Sequence, residues 1–343
     1  LVTREHVAAG PLRAVVCNSG NANACNGPQG LSDARAMAQL TAEALGCAEH
    51  EVAVASTGVI GQPLDMEKVS AGIREAAGQH TADGGEAAAQ AIMTTDTRAK
   101  ALAVAFECDG RLVRLGGMAK GSGMIHPNMA TMLAFLTTDA AFDPATLEGA
   151  LKYAVDRSFN AITVDGDTST NDMALLLANG AAGVACPPGS AAFDRFQEAL
   201  VYLCRQLARW IVADGEGATK LVAIQVSGAP DFAAARQIGK SVATSALVKT
   251  ALYGEDANWG RIICAAGYSG VTFDPDRVDI SIGPLAVARG GMGLPFDEAR
   301  AKEILGSSEL TIAIDLHQGE AEATVWTCDF SYEYVKINAS YRS

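Results

Sequence analysis

From Gly116 the chain reads Gly116-Gly117-Met118-Ala119-Lys120-Gly121-Ser122-Gly123-Met124-Ile125-His126-Pro127-Asn128-Met129-Ala130-Thr131, four glycines, a lysine and a proline running into an apolar stretch. Glycines adopt backbone conformations that other residues resist and let a ligand approach the main chain, so such a segment can offer N–H groups to an anion. It fits neither common phosphate-binding pattern. A P-loop has its lysine after the second glycine, whereas Lys120 precedes the matching one. A dinucleotide fingerprint needs a helix next, and the residues from Thr131 read as a strand. The other chemistry within reach is nucleophilic. A threonine hydroxyl needs a base to take its proton, and cleaving the preceding peptide bond supplies one by freeing the α-amine of Thr131. Such an amine has an unperturbed pKa of about 7.7 to 8.0, close to working pH. Pro127 and Asn128 beside flexible glycines can hold a strained bond, and the small Ala130 leaves room for attack. The residues alone also admit a plainer account, a glycine-rich turn entering a buried strand.

Two further sets of side chains invite a metal reading. The acidic run Asp165, Asp167, Asn171, Asp172 fails the calcium-loop template, with Thr170 where the sixth-position glycine belongs and Leu176 where the twelfth-position glutamate belongs. Asp, Ser, Thr and Asn close tight turns through their own side chains, which accounts for this run. The eight cysteines (17, 25, 47, 108, 186, 204, 264 and 328) form no Cys-x-x-Cys pair and lie at no zinc-ligand spacing from a histidine. They read as reduced core or strand residues, and no metal site is expected.

The run Met129-Ala130-Thr131-Met132-Leu133 resembles the self-cleavage region of the ornithine acetyltransferase family, the bifunctional glutamate N-acetyltransferases of arginine biosynthesis. The likeness extends through Asn18 to Cys25, Ser56 to Gly61, Met93 to Thr97, Thr163 to Asp172, Asp214 to Lys220 and Gly254 to Ile262. It implies cleavage between Ala130 and Thr131 into α and β chains, with Thr131 as nucleophile and Thr57 with Gly58 as the oxyanion hole. A hydroxyl and a main-chain N–H can both donate to the oxyanion that develops on an attacked acyl carbonyl. The family's substrate contacts fall on Thr94, Lys120, Thr131, Glu216, Asn338 and Ser343. Lys120 can pair with a substrate carboxylate and Glu216 with an ammonium, so together they select an amino-acid-like ligand. His126 is not expected to be the base, since similar family members carry other residues there.

The resemblance implies acetyl transfer from N2-acetyl-L-ornithine to L-glutamate through an acetyl ester of Thr131. No dissociable cofactor is implied, though some members also accept acetyl-CoA. An α2β2 or higher oligomer of the cleaved chains is expected. The rival readings are an amidase or aminopeptidase-type hydrolase on the same scaffold, and an inactive truncated amino-acid-binding homologue. The family usually carries a further N-terminal stretch before the residues that open this chain at Leu1, so a fragment or processed product is expected.

The elements that must position these residues alternate. Strands are predicted over Arg13 to Cys17, Glu51 to Ser56, Arg111 to Leu115 and Thr131 to Thr137. Helices are predicted over Ser32 to Leu45, Asp65 to Ala77, Glu86 to Met93, Ala145 to Arg157 and Phe193 to Val212, with Ser32 and Asp65 as N-caps and Gly46 and Gly78 beyond the C-termini. A strand from Leu221 to Val226 is followed by a helix from Pro230 toward Leu252. Further strands are expected at Val278 to Ile282, Leu310 to Leu316 and Ala321 to Cys328, with a helix at Phe296 to Leu305. The fold class is α/β. The family resemblance implies a layered sandwich of the self-cleaving, aminopeptidase-related type over 1–229, with a smaller α/β domain over 230–343.

The 343 residues, 49% hydrophobic and 19% charged, suffice for a sizeable core. A net charge of −13 and the lack of a basic run argue against a nucleic-acid partner. No stretch approaches the ~20 apolar residues of a membrane span. A cytoplasmic protein is expected.

Overall fold

A computed structural model describes residues 1–108, 110–126 and 132–340. The outermost layer begins with α1 (Val2–Ala9), β1 (Ala14–Asn21), α2 (Gly27–Leu45), β2 (Val52–Val59) and α3 (Met66–Gln79). Strands β1 and β2 pair in parallel from Ala14 opposite Val52 to Gly20 opposite Gly58. Met37, Ala38 and Ala42 of α2 recur at helical spacing and bury against Val52 and Val54, with Ile73 of α3 beside them. Asp65 caps α3 by accepting from the Lys68 N–H, and Gly46 ends α2 in the left-handed conformation at φ 70°. The start of α2 differs from the expectation at Ser32: Asn26 is the cap, and Pro28, which needs no N–H partner in the first turn, opens the helix. Gly78 lies inside α3, which runs on to Gln79.

After α4 (Gly85–Ala91) come β3 (Lys100–Cys108), β4 (Arg111–Lys120), β5 (Leu133–Thr138), α5 (Pro144–Asp156), β6 (Met173–Ala178) and α6 (Ala191–Ala213). The strands form one sheet in the order β3-β4-β5-β6. Both faces of β5 are covered, which explains its unbroken run Leu133-Ala134-Phe135-Leu136. Leu133 and Phe135 point to the β1–β2 layer, where Ala55, Cys17 and Met118 meet them, while Ala134 and Leu136 join Leu203 and Leu207 of α6. The result is four layers: helix, two-stranded sheet, four-stranded sheet, helix. Residues Gly116 to Lys120, expected as loop, belong to β4. Gly117 is there because a Cβ would lie 2.6 Å from Leu136 and 3.1 Å from Leu207, so its absence lets α6 sit close to the sheet.

The rest of the described chain comprises β7 (Leu221–Ala229), α7 (Phe232–Thr244), α8 (Ala246–Tyr253), α9 (Trp259–Gly267), β8 (Asp279–Ile282), β9 (Leu285–Arg289), β10 (Met292–Gly293), α10 (Glu298–Leu305), β11 (Glu309–Asp315), β12 (Ala321–Cys328) and α11 (Tyr332–Ser340). Its sheet runs β10-β9-β8-β11-β7-β12. Strand β7 is parallel to β11 and antiparallel to β12, so sheet pairing groups 221–229 with the C-terminal residues, on the far side of the division drawn after Ala229. The helix expected from Pro230 is two helices, because Ser245 leaves helical geometry and caps α8 by accepting from Val248 N.

Candidate active site

Thr57 and Gly58 stand near the C-terminal end of β2, where it approaches the four-stranded sheet. Gly58 has φ 131°, a left-handed value that disfavours side chains, and a Cβ there would lie 2.2 Å from the carbonyl carbon of Gly20. Strand β4 ends at Lys120, on the same face as Met118 and therefore toward β2. The buried Lys120 ammonium donates to Thr94 Oγ1 at 2.9 Å and Thr57 Oγ1 at 3.3 Å, and lies 3.9 Å from Asp96 Oδ2. Three residues expected at the site from separate parts of the sequence therefore meet around one cation.

Behind them lies a buried charge network that the sequence reading missed. Asp96 Oδ1 accepts from Lys100 Nζ at 2.7 Å and from Gly121 N at 2.7 Å; Lys100 also donates to Asp214 Oδ2 at 2.6 Å. Asp214 is anchored in turn by Thr97, through its N–H at 3.0 Å and its hydroxyl. Lys100 is 1% exposed, so its two carboxylate partners are what make its charge tolerable there. Burial disfavours the charged Asp96 carboxyl, yet Lys100 and Lys120 outweigh it and hold its pKa below the usual value. Burial pulls the Lys120 pKa down, with Asp96 opposing. Asp96, Thr97 and Asp214 lay within the family motifs but Lys100 did not, and its pairing with Asp214, 114 positions apart, leaves no local signal.

Glu216 and Asn338 form a second pair, Asn338 Nδ2 donating to Glu216 Oε2 at 2.9 Å from helix α11. Gly123 packs against this carboxylate so closely that a Cβ would come within 2.5 Å of it. Among the described residues the pair joins the Lys120 group through the main chain: Glu216 N donates to Ser122 O at 3.0 Å, two residues on from Lys120. Asp172 is the remaining carboxyl beside Lys120. Burial pushes its pKa up to about 8 against the pull of Lys120 and of the Met132 N–H, and its Oδ2 has no hydrogen-bond partner among the described residues. His126 is pulled down to about 4 by burial and by Lys240, which leaves a weakly basic imidazole. Ala130, Thr131 and Ser343 lie outside the described residues. Among the described residues no group of three His, Cys, Asp or Glu side chains is placed to hold a metal ion, and no helix is long and apolar enough to cross a membrane.

A strand-end hydroxyl and N–H, a buried lysine and a carboxylate–amide pair on a four-layer α/β sandwich suit acyl transfer on amino-acid-like substrates. The sequence matches the ArgJ family over residues 1–343, and the chain belongs to that family of arginine-biosynthesis enzymes. It is similar to the arginine biosynthesis bifunctional protein ArgJ of Symbiobacterium thermophilum, 57% identical over 344 residues that span 100% of this chain and 86% of the relative. The protein of that name from Geobacillus stearothermophilus is 51% identical over 333 residues, 97% of this chain and 81% of the relative. A crystal structure of ArgJ from Bacillus halodurans, 45% identical, superposes with a TM-score of 0.60 over 62% of this chain and 100% of that one.

Proposed function

We propose that this site carries acetyl from N2-acetyl-L-ornithine to L-glutamate through an ester on Thr131. The observation that supports it most directly is the Lys120 ammonium held between Thr57 and Thr94, a cation for an α-carboxylate beside the oxyanion donors. Glu216, steadied by Asn338, is the acceptor for a substrate ammonium, and Ser343 completes the contacts. Before any transfer the chain cuts itself. Thr131 Oγ adds to the Ala130 carbonyl, the C–N bond breaks as its nitrogen takes the hydroxyl proton, and water then hydrolyses the ester to leave the Ala130 carboxylate and the free Thr131 amine.

In the first half-reaction Thr131 Oγ bonds to the acetyl carbonyl carbon while the α-amine takes its proton. That proton passes to the departing nitrogen as the amide bond breaks, and ornithine leaves. In the second, the glutamate amine attacks the ester, and its proton returns to Oγ as the C–Oγ bond breaks. Kinetics are therefore ping-pong, with no dissociable cofactor; acetyl-CoA serves as an alternative donor if this chain shares the bifunctional activity. The α and β segments assemble as α2β2 or higher in the cytoplasm.

Thr131→Ala tests the reading. It is expected to remain a single chain in a denaturing intact-mass spectrum and to lose at least about a thousandfold in transfer, the scale set by removing a nucleophile. A variant that still transferred acetyl would sink the mechanism.

A further inference from the structure

One stretch of chain, 163–173, holds both flanks of the proposed cleavage segment. On the upstream side Asp165 accepts from Met124 N at 2.6 Å and from Ile125 N at 2.9 Å. Met124 is a non-glycine residue at φ 55°, a conformation that costs free energy unless its surroundings enforce it. Val164 N and the Thr163 hydroxyl both donate to Ile125 O, at 2.7 and 3.0 Å. The hydroxyl of Thr168 donates to the carbonyl of His126 at 2.9 Å. On the downstream side Met173 N donates to Met132 O at 2.9 Å, and Asp172 accepts from Met132 N. The last described residue before the cut and the first after it are thus fixed to the same short frame.

Resting on the self-cleavage reading above, we infer that Asp165 and Thr168 are positioning residues for self-cleavage, holding the upstream flank in register with the downstream one, and that they are dispensable for acetyl transfer once the bond is cut. The asymmetry follows from which flank carries what. After cleavage the nucleophile remains attached to Met132, which Asp172 and Met173 hold. The short stretch from Met124 to Ala130 no longer has to stay near it, so the hydrogen bonds that Asp165 accepts and Thr168 donates lose their positioning task. Before cleavage those bonds keep the carbonyl-bearing side from drifting, and attack on that carbonyl depends on both sides being placed together.

The test compares the unsubstituted chain, Asp165→Asn, Thr168→Val and Thr168→Ser. Each precursor is made by cell-free synthesis, its cleavage followed over time by intact mass, and the matured fraction assayed for transfer. Losing one charge-assisted acceptor at Asp165 is expected to slow cleavage about tenfold or more, and losing the single Thr168 donor about three- to tenfold. Thr168→Ser restores cleavage, and all matured fractions keep the unsubstituted kcat and KM. Thr168 is exposed, so Thr168→Val carries the test even where Asp165→Asn folds poorly. Cleavage of Thr168→Val at the unsubstituted rate, or transfer that falls in step with cleavage, overturns the inference while leaving the proposed function standing. An unsubstituted chain that stays whole overturns the self-cleavage reading itself, and this inference with it.

Discussion

Asp172 and Asp96 show how two carboxyls beside one lysine come to differ. Asp96 has Lys100 and the Gly121 N–H as well as Lys120, so it stays ionised; for Asp172 burial outweighs the pull of Lys120 and of the Met132 N–H, and it carries the proton instead. The linkage follows from the direction of the shift. An unfolded aspartate titrates near ~3.9, and the folded Asp172 titrates at about 8. Its contribution to stability is therefore fully present below the unfolded value and is lost as pH rises through the folded one. Asp172→Asn has no such titration, so the stability of the unsubstituted protein relative to this variant should fall steadily between pH 5 and pH 9. Urea unfolding midpoints at pH 5, 7 and 9 measure it, and a constant gap would mean that Asp172 is already ionised at neutral pH. At this scale the residues that the family resemblance marked come together in two groups, Thr57 and Thr94 around Lys120, and Asn338 on Glu216. The turn-forming reading of 165–172 captured Asp167 N donating to Asp165 at 3.2 Å. It missed that the same stretch reaches outward, with Asn171 donating to Ala22 O and Ser56 O, because those partners lie more than a hundred positions away.

Among the elements, the segments with a clear apolar stripe were readable, and α3, α5 and α6 fall within two residues of their expected ends. Strands β3, β6, β9 and β10 were not. The β6 sequence Met-Ala-Leu-Leu-Leu-Ala is made of good helix formers, and only pairing with β5 makes it a strand. In β3, small residues blur an alternation that the burial pattern displays plainly, and its first residue is a buried lysine. The two-stranded β1–β2 layer depends on a contact that no propensity encodes, the close approach of Gly20 and Gly58. Gly58→Ala puts a methyl against main-chain atoms of Gly20 and Asn21, which cannot rotate away as a side chain can. The strands must part near Thr57. Overpacking at a position of positive φ is expected to cost about 1–3 kcal/mol, with a larger proportional loss in kcat than in KM because the proposed oxyanion donors move. Thermal unfolding together with steady-state kinetics checks this. Unchanged stability and unchanged kcat would mean that β1 and β2 can separate at this end without disturbing the site.

For the molecule as a whole, the proposed cut falls inside a sheet rather than between two bodies. Strand β4 lies before it and β5 after it, paired antiparallel from Leu115 opposite Thr138 to Lys120 opposite Leu133. Helix α6, from the downstream segment, covers the upstream strands β3 and β4. Among the described residues one buried ion pair crosses as well, Lys100 to Asp214, and separating the segments would leave its charges in the interior without partners, at a cost of about 3–5 kcal/mol. Ladder hydrogen bonds, a continuous apolar core and buried charges thus act together across one broken peptide bond. After cleavage the segments 1–130 and 131–343 are therefore expected to elute as a single particle in native size exclusion and to remain together through dilution and high salt, parting only in denaturant. Salt resistance is the telling part, since screening weakens exposed charge pairs and leaves buried ones and apolar packing intact. Segments that separated on dilution or in salt would show that the interface is held at its rim, and that the sheet and core do not bridge the cut as described.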